Sequence, residues 1–367
     1  MMFLQWLQQA ASFFVKIGTP IVLVYHLLLG NIFLNVAAED AQGLESIANV
    51  VLTPVQYLLA GKKAIPDQEG YNLEQRFEYR DHFILKSTCC LVALPLSITV
   101  GSTLKTLAFL DPMTRKRHEE IERSLLSKKV TPHDELYRQF DLEMEDFVAA
   151  SMVEPPQYKR RPGEENCLQE DKEALKEIVR VLNDHHIPFW VDCGTCLGTY
   201  RYGGAIPWDW DIDLAILQID HDNVKNALKN LDPSRFVVQD WSSRLLPKTY
   251  LKVYVKKTAS LIDIYHFAID KERKTIHTVL SNENSLFLPE SWKIRERRYT
   301  KPIPFSVVFP LKKALFDGIE VAVPRQTKAY LQVMYGENID PAKVYNEVTG
   351  NYENDPTHPY WQQAHAR

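Results

Sequence analysis

The sequence has few cysteines, little net charge and no repeated segment. Its 367 residues include five cysteines, an odd number for a disulfide framework, which indicates a reducing compartment. Lys and Arg number 43 against 47 Asp and Glu, so the chain lacks the basic excess of a general nucleic-acid binder, although a nucleotide could still be a substrate. A composition of 45% hydrophobic and 25% charged residues excludes global disorder and fibrous repeats.

The N-terminus also lacks the features of a cleavable secretory signal, because residues 1–11 contain no basic segment and the first apolar run is too long. That run lies between Lys16 and Glu39, and a second uncharged run extends from Ser87 to Leu104. Each is close to the length of about 20 residues that spans a bilayer, but a buried helical hairpin or in-plane insertion fits the same pattern. We predict membrane association. Lys and Arg are balanced on the two sides of such a hairpin, so its orientation stays undecided.

A proline-rich break divides the chain at 154–163, where Pro155, Pro156 and Pro162 stop helices and Gly163 adds freedom. Before it, the stretch from Arg115 to about Met152 has the charge pattern of solvated helices. We predict a mainly helical, hydrophobic N-terminal region at 1–153, a linker at 154–163, an α/β domain at 164–350 and a polar tail at 351–367.

The first motif after the proline-rich break is a predicted strand followed by a glycine turn. The spacing predicts a helix from Cys167 to Leu182, a short buried strand at 189–191 and a tight turn at 192–195 that begins a second helix. At such a turn, Gly194 and Thr195 would let backbone N–H groups approach a phosphate closely.

Two acids alternate with aliphatic residues downstream. Asp211 and Asp213 alternate with Ile212 and Leu214, so on a strand both carboxylates project from one face. Two such carboxylates without a nearby basic residue in sequence are costly, and a divalent cation removes that cost. Ligation by oxygen alone favours Mg²⁺ or Mn²⁺ over zinc, with substrate phosphates and water completing the coordination.

A third acid, Asp263, lies inside another predicted strand at 261–267. It could complete the metal site, or it could be a hydrogen-bonded structural residue, because a lone charge in an apolar strand needs a partner. Lys252, on the predicted neighbouring strand, could face a phosphate or pair with Asp263.

These motifs resemble the LicD/fukutin family of phosphotransferases, which has the nucleotidyltransferase fold. The resemblance covers about residues 170–345 and rests on three segments: Gly194 to Asp213 with its Ile-Pro-Trp-Asp-Trp-Asp-Ile-Asp run, Phe316 to Pro324, and Tyr330 to Gly336. It implies a nucleotidyltransferase-like mixed sheet flanked by helices. Trp210 departs from the pattern, since an acid often occupies that position.

The family transfers phosphoryl-alcohol groups, such as phosphocholine or ribitol phosphate, from a CDP-linked donor to a glycan hydroxyl. The resemblance therefore implies an enzyme that modifies glycans or lipid-linked sugars at the cell envelope. From the cysteine content we predict a cytoplasmic catalytic domain, with the membrane topology undecided. The resemblance also implies the roles of individual residues: Asp211, Asp213 and Asp263 as catalytic metal ligands, Gly194, Thr195, Arg201 and Lys252 at the donor phosphates, and Asp209 in support.

Two other functions fit parts of the sequence. Cys193 and Cys196 form a CxxC pair of the kind found in redox proteins, but a redox function leaves the three acids without a role. An inactive, nucleotidyltransferase-like scaffold at a membrane is the second alternative, and the presence of all three acids argues against it.

Overall fold

The structure is a computed structural model in which the chain divides into two compact units, Met1–Lys128 and Lys129–Arg367. It describes residues 30–67, 70–79, 81–126, 133–140, 160–161, 163–164, 168–243, 246–280 and 290–362, together with Val24, Leu28 and Leu142. Much of the first apolar run and most of the predicted linker lie outside the described residues, so the predicted boundaries stay predictions.

The first unit combines helices with a small sheet that the prediction of a mainly helical region did not include. Its described elements are α1 (Ile32–Asn35), β1 (Val36–Ala38), α2 (Gly43–Val51), α3 (Thr53–Leu58), β2 (Lys62–Asp67), β3 (Gly70–Gln75), α4 (Phe83–Ala108) and α5 (Pro112–Leu126). β1 pairs with β2 in parallel, and β2 pairs with β3 antiparallel. Apolar side chains form a small core in this unit, in which Ala64 and Ile121 are fully buried.

α4 is a long apolar helix that contains the second uncharged run. Its 26 residues extend over about 39 Å at 1.5 Å per residue. Within the described part of the chain it alone is long and apolar enough to cross a membrane, and only 6% of its most apolar window is buried. Pro95 lies inside the helix without ending it.

The second unit is built around a mixed sheet. Its described helices and strands are α6 (Asp134–Arg138), α7 (Gln169–Asp184), β4 (Phe189–Val191), α8 (Cys193–Tyr202), β5 (Ile212–Leu217), α9 (His221–Ala227), β6 (Phe236–Asp240), β7 (Tyr250–Val255), β8 (Ser260–Asp270), β9 (Thr275–Thr278), α10 (Glu290–Arg297), β10 (Ile303–Pro304), α11 (Phe305–Val308), β11 (Lys312–Phe316), β12 (Ile319–Val323), α12 (Thr327–Tyr335), β13 (Lys343–Asn346) and β14 (Asn351–Asn354).

Seven strands form the central sheet, in the path β10-β9-β8-β5-β4, with β7 also paired to β8 and β6 paired to β7. β5 and β8 run parallel, whereas the other neighbours are antiparallel. The predicted mixed α/β class is therefore confirmed. Two hairpins, β11–β12 and β13–β14, lie outside this sheet, and β14 falls within the stretch predicted as a polar tail.

The core of this unit forms where helix and strand periodicities meet. α7 buries Leu175, Ile178 and Leu182, which recur at the spacing of one helix face. All three residues of β4 and all six of β5 are buried. β5 is thus a central strand, bonded on both edges, and it holds the acidic segment against the rest of the sheet.

Candidate functional site

The acids predicted from separate segments meet on neighbouring strands. In the parallel pairing of β5 and β8, Asp213 lies directly opposite Asp263. On the other side of β8, Lys252 of β7 lies opposite Asp263, and Gln239 of β6 lies opposite Lys252. Residues in register on adjacent strands project from the same face. These four side chains therefore form one polar row across the sheet.

Lys252 is the basic partner within this row. Its Nζ lies 2.8 Å from Asp263 Oδ1, and both side chains are largely buried, at 14% and 17% exposed. The same ammonium lies 5.1 Å from the ring centroid of Trp241 and 5.0 Å from that of Tyr250. Of the two roles weighed for Lys252, pairing with Asp263 is the one that the structure records, and contact with a phosphate stays a prediction.

Burial and mutual repulsion raise the pKa values of the carboxyl groups in this site. Burial, followed by the charges of Asp211 and Asp263, raises the pKa of Asp213 well above its usual value. Burial and the charge of Asp211 raise the pKa of Asp209 to about 8. Burial likewise raises the pKa of Asp211. The charges of Lys252 at Asp211 and of Lys343 at Asp209 do not cancel these effects, so a bound cation would lower the free energy of the ionised site.

The Gly-Thr turn contacts this acidic group directly. α8 begins at Cys193, right after Asp192, and the backbone N–H of Asp213 donates to Thr195 Oγ1 at 2.8 Å. A Cβ atom added at Gly194 would collide with Asp209 Oδ2, so a larger residue at this position would displace that carboxylate. The turn therefore lies against the acids, while its predicted contact with donor phosphates stays a prediction.

Arg201 lies in a different environment from the predicted one. It is 5% exposed. Its Nε donates to the carbonyl of Ile339 at 2.7 Å, and Nη2 donates to the carbonyl of Asp340 at 2.5 Å. These contacts fasten the end of α8 to the segment after α12. The phosphate role predicted for Arg201 is not visible in the structure and stays a prediction.

The carboxylate side chains of this site are suitable ligands for a hard divalent cation, but they do not form a complete metal site. Within the described ranges, no group of three or more His, Cys, Asp or Glu side chains is arranged to hold a metal ion. Asp263 is instead engaged by Lys252. Magnesium commonly binds through one or two carboxylates and takes its other ligands from phosphates and water. Asp211 and Asp213 fit that pattern, and the three-carboxylate ligand set stays a prediction.

Two further residues support the site and were missed in the sequence. Asp192, 1% exposed, accepts a 2.6 Å hydrogen bond from the hydroxyl of Tyr330, and its backbone N–H donates to the carbonyl of Asp213 at 3.0 Å. Burial raises the pKa of Asp192 to about 6. Tyr330 is 138 residues away; it begins one of the segments that carry the resemblance, but that segment does not predict its contact with Asp192. Asp192 is thus held at the junction of β4, β5 and α8.

Asp317 anchors the turn that precedes the acids. Its carboxylate accepts from the backbone N–H of Ala205 at 3.1 Å, lies 2.6 Å from Lys172 Nζ and also pairs with the Arg160 guanidinium. Its own N–H donates to the carbonyl of Gly203 at 2.7 Å. The Asp-Gly dipeptide that follows β11 is a hairpin signal that could have located this turn but not its long-range partners.

The CxxC pair has little thiolate character. Cys193 and Cys196 are free thiols. Burial raises the pKa of both well above the usual value. Because the thiolate is the reactive form, this environment does not favour the redox alternative.

The part of the chain that contains these residues is similar to known proteins. Residues 186–326 match the model of the LicD/FKTN/FKRP nucleotidyltransferase domain, which confirms the resemblance seen in the motifs. Over 187 residues the chain is 23% identical to the human (Homo sapiens) protein named ribitol 5-phosphate transferase FKRP, covering 50% of this chain and 34% of that protein.

Two other relatives also match this chain over only part of their length. An uncharacterized protein of Rickettsia typhi, RT0683, is 25% identical over 174 residues, covering 47% of this chain and 48% of its own length. A 50-residue stretch is 46% identical to the mouse (Mus musculus) ribitol-5-phosphate transferase FKTN, covering 14% of this chain and 11% of that protein. In each case the chain spans less than half the length of the relative.

Proposed function

We propose that this chain, whose residues 186–326 match the LicD/FKTN/FKRP nucleotidyltransferase domain, is a metal-dependent transferase. It moves a phosphoryl-alcohol group, of the ribitol phosphate or phosphocholine kind, from a CDP-linked donor to a hydroxyl of a glycan or lipid-linked sugar. The observation that supports this most is the register of Asp213, Asp263 and Lys252 beside the Gly194–Thr195 turn.

The reaction forms one bond and breaks one. The acceptor hydroxyl oxygen attacks the phosphorus that carries the alcohol, the bond from that phosphorus to the oxygen of CMP breaks, and CMP leaves. The hydroxyl proton passes to a carboxylate of the site or to water. Because the attacking and leaving oxygens lie roughly in line, the acceptor hydroxyl and the leaving CMP lie on opposite sides of the transferred phosphorus.

Each residue of the site has a proposed role that follows from its charge and its position. Gly194 and Thr195 lie where backbone N–H groups would hold the donor phosphates. Lys252 adds the positive charge next to Asp263. Asp211 and Asp213 would hold Mg²⁺ or Mn²⁺, which when bound neutralises charge on the diphosphate and the leaving nucleotide.

We also propose that the protein associates with a membrane through α4, with the catalytic unit on the cytoplasmic side. The length, the apolar composition and the low burial of α4 support the membrane association, and the small, odd number of cysteines supports the cytoplasmic side. A lipid-linked acceptor would then lie in the same membrane.

Ligand-dependent thermal stability tests the proposal on the full-length chain in mild detergent. CDP-ribitol, CDP-choline, CTP and a UDP-sugar are each added with and without Mn²⁺, at about 100 times the dissociation constant. Binding to the native state then adds about 2.7 kcal/mol, which corresponds to a midpoint shift of roughly 5–11 °C for a unit of this size. We expect a shift that needs both metal and one CDP-linked compound, accompanied by CMP release when acceptor is added.

The Asp213→Asn variant is the matched control, because it should lose the metal-dependent part of the shift. A folded wild-type chain that shows no shift with any nucleotide and metal would contradict the transferase and support the inactive scaffold.

A further inference from the structure

Two helices of the first unit have an inverted polarity. On α2, the buried residues include Glu45 and Asn49, which are polar. Leu44, Ile47 and Val50 are instead 47%, 53% and 67% exposed. In a water-soluble protein, the apolar face of such a helix points to the interior and the polar face to solvent.

α4 shows the same inversion. Its buried residues are small or polar: Ser97, Gly101, Lys105 and Ala108, four positions along one helix face. Its large aliphatic residues point outward, and the most exposed are Ile84, Leu85, Leu91, Val92 and Leu96, at 57–80%.

The inward faces of α2 and α4 meet in a seam that contains hydrogen bonds between polar groups of the two helices. The Ser97 hydroxyl donates to the carbonyl of Val51 at 2.6 Å, and Lys105 Nζ donates to Asn49 Oδ1 at 3.1 Å. Gly101 allows close contact, since an added Cβ would overlap the side chain of Leu52. Small residues at the helix contact and internally paired polar groups are features of helices packed within lipid.

Charged groups close the seam at the first turn of α2. Glu45, with a fully buried side chain, pairs with Arg117 Nη1 at 2.5 Å and with His118 Nε2 at 3.0 Å. The start of α5 exposes Arg115 and Lys116, which suits anionic headgroups at the edge of a bilayer. The charged groups at this end thus suit the headgroup region of a membrane, and the exposed aliphatic faces of α2 and α4 suit its hydrocarbon core.

We propose that the outward faces of α2 and α4 form one lipid-contacting surface, so that α2 enters the apolar part of the bilayer beside α4. The inference deepens the proposed membrane association, which by itself concerns α4 alone. Lipid is the occupant that fits, because the large exposed side chains of both helices are mainly aliphatic. The exposed threonines of α4 donate to carbonyls of their own helix, as Thr99 does to Pro95 and Thr103 to Thr99, both at 2.8 Å. At nine residues, α2 extends about 14 Å, or about half of the hydrocarbon core.

Single thiols on the full-length chain test this surface. In one variant, Cys90, Cys167, Cys193 and Cys196 are replaced by alanine, which leaves Cys89, an exposed residue of α4. Two others carry Cys89→Ala as well, with either Val50→Cys or Val348→Cys. Val348, in the second unit and 95% exposed, is the matched aqueous control. Retention of the wild-type thermal midpoint shows that each variant is folded.

The measurement is the rate at which a charged, membrane-impermeant maleimide modifies each thiol in phosphatidylcholine–phosphatidylglycerol vesicles. We expect Cys89 and Val50→Cys to react about tenfold or more slowly than Val348→Cys, because lipid excludes the charged reagent. Nitroxide-labelled lipids should also quench a fluorophore attached at either of the first two positions.

The outcomes separate the two proposals. Protection of Cys89 without protection of Val50→Cys would overturn the lipid contact of α2 and leave membrane association through α4 intact. Reaction of both at the rate of Val348→Cys would overturn membrane association itself. Protection of Val50→Cys that needs no vesicles and grows with protein concentration would instead identify a second copy of the chain as the occupant, and would also overturn the inference.

Discussion

Replacing Asp317 with asparagine removes one negative charge at the turn before the catalytic acids and changes little else. Asparagine has nearly the same shape, accepts the hydrogen bond from Ala205 and tolerates the left-handed backbone of this position, where φ is 49°. The perturbation is therefore electrostatic. It removes the anion that Lys172 and Arg160 share.

The expected magnitude follows from burial. The side chains of Asp317 and Lys172 are only 7% and 5% exposed. Removing one partner of a buried ion pair costs about 3–5 kcal/mol, because the remaining charge stays in a poorly solvated position. For a unit of this size, that loss lowers the thermal midpoint by about 6–20 °C.

Calorimetry or denaturant unfolding of the full-length chain measures the effect. Glu320→Gln is the matched control on the same hairpin, because the Glu320–Lys313 pair, at 2.7 Å, is 58% and 41% exposed and should contribute less than about 1 kcal/mol. Adding Lys172→Met to Asp317→Asn should restore part of the lost stability, since the uncompensated cation is then removed.

An Asp317→Asn variant within about 1 kcal/mol of the wild type would refute this reasoning. It would mean that the cations find solvent or other anions at no cost. An equal loss in Glu320→Gln would refute it too, because burial would then not set the magnitude.

Three further outcomes test the second unit. Asp213→Asn should reduce turnover to background while leaving the metal-free thermal midpoint equal or higher, because one repelling carboxylate is gone; substantial CMP release by this variant would remove Asp213 from the site. Gly194→Ala should cost about 1–3 kcal/mol by overpacking against Asp209 and should lower activity, and wild-type values of both would contradict the close approach. Burial lowers the pKa of His266 to about 3, so the folded state disfavours its proton: the stability is fully present above the unfolded value near 6.5 and is lost as the pH falls towards 3. In His266→Gln, the slope of unfolding free energy against pH over that window should therefore fall by up to about 1.4 kcal/mol per pH unit, and an unchanged slope would exclude this histidine as its source.

Much of the catalytic sheet could be predicted because its signals are local. The alternation of acidic and aliphatic residues around Asp213 and the apolar residues on both sides of Asp263 predict strands. The structure has β5 and β8 at those positions. A strand's facing pattern depends only on its own residues. Their parallel register, which places these two acids side by side, comes from the packing of the whole sheet.

The supporting contacts could not be predicted because they join distant segments. Arg201 was expected at a phosphate, yet its recorded partners lie 138 and 139 residues away. The carboxylate of Asp317 reaches Ala205 across 112 residues. A basic or acidic residue in sequence shows that a partner is needed, but only tertiary packing decides which one it finds.

The complete burial of β5, with bonded strands on both edges, also determines how the site responds to its own charge. β5 is buried along its whole length and paired on both edges, so we expect its amides to be among the slowest in the unit to exchange with solvent. Repulsion at Asp213 is therefore difficult to relieve by moving its strand. We expect it to be relieved by proton binding instead, in keeping with the raised pKa of the Asp213 carboxyl.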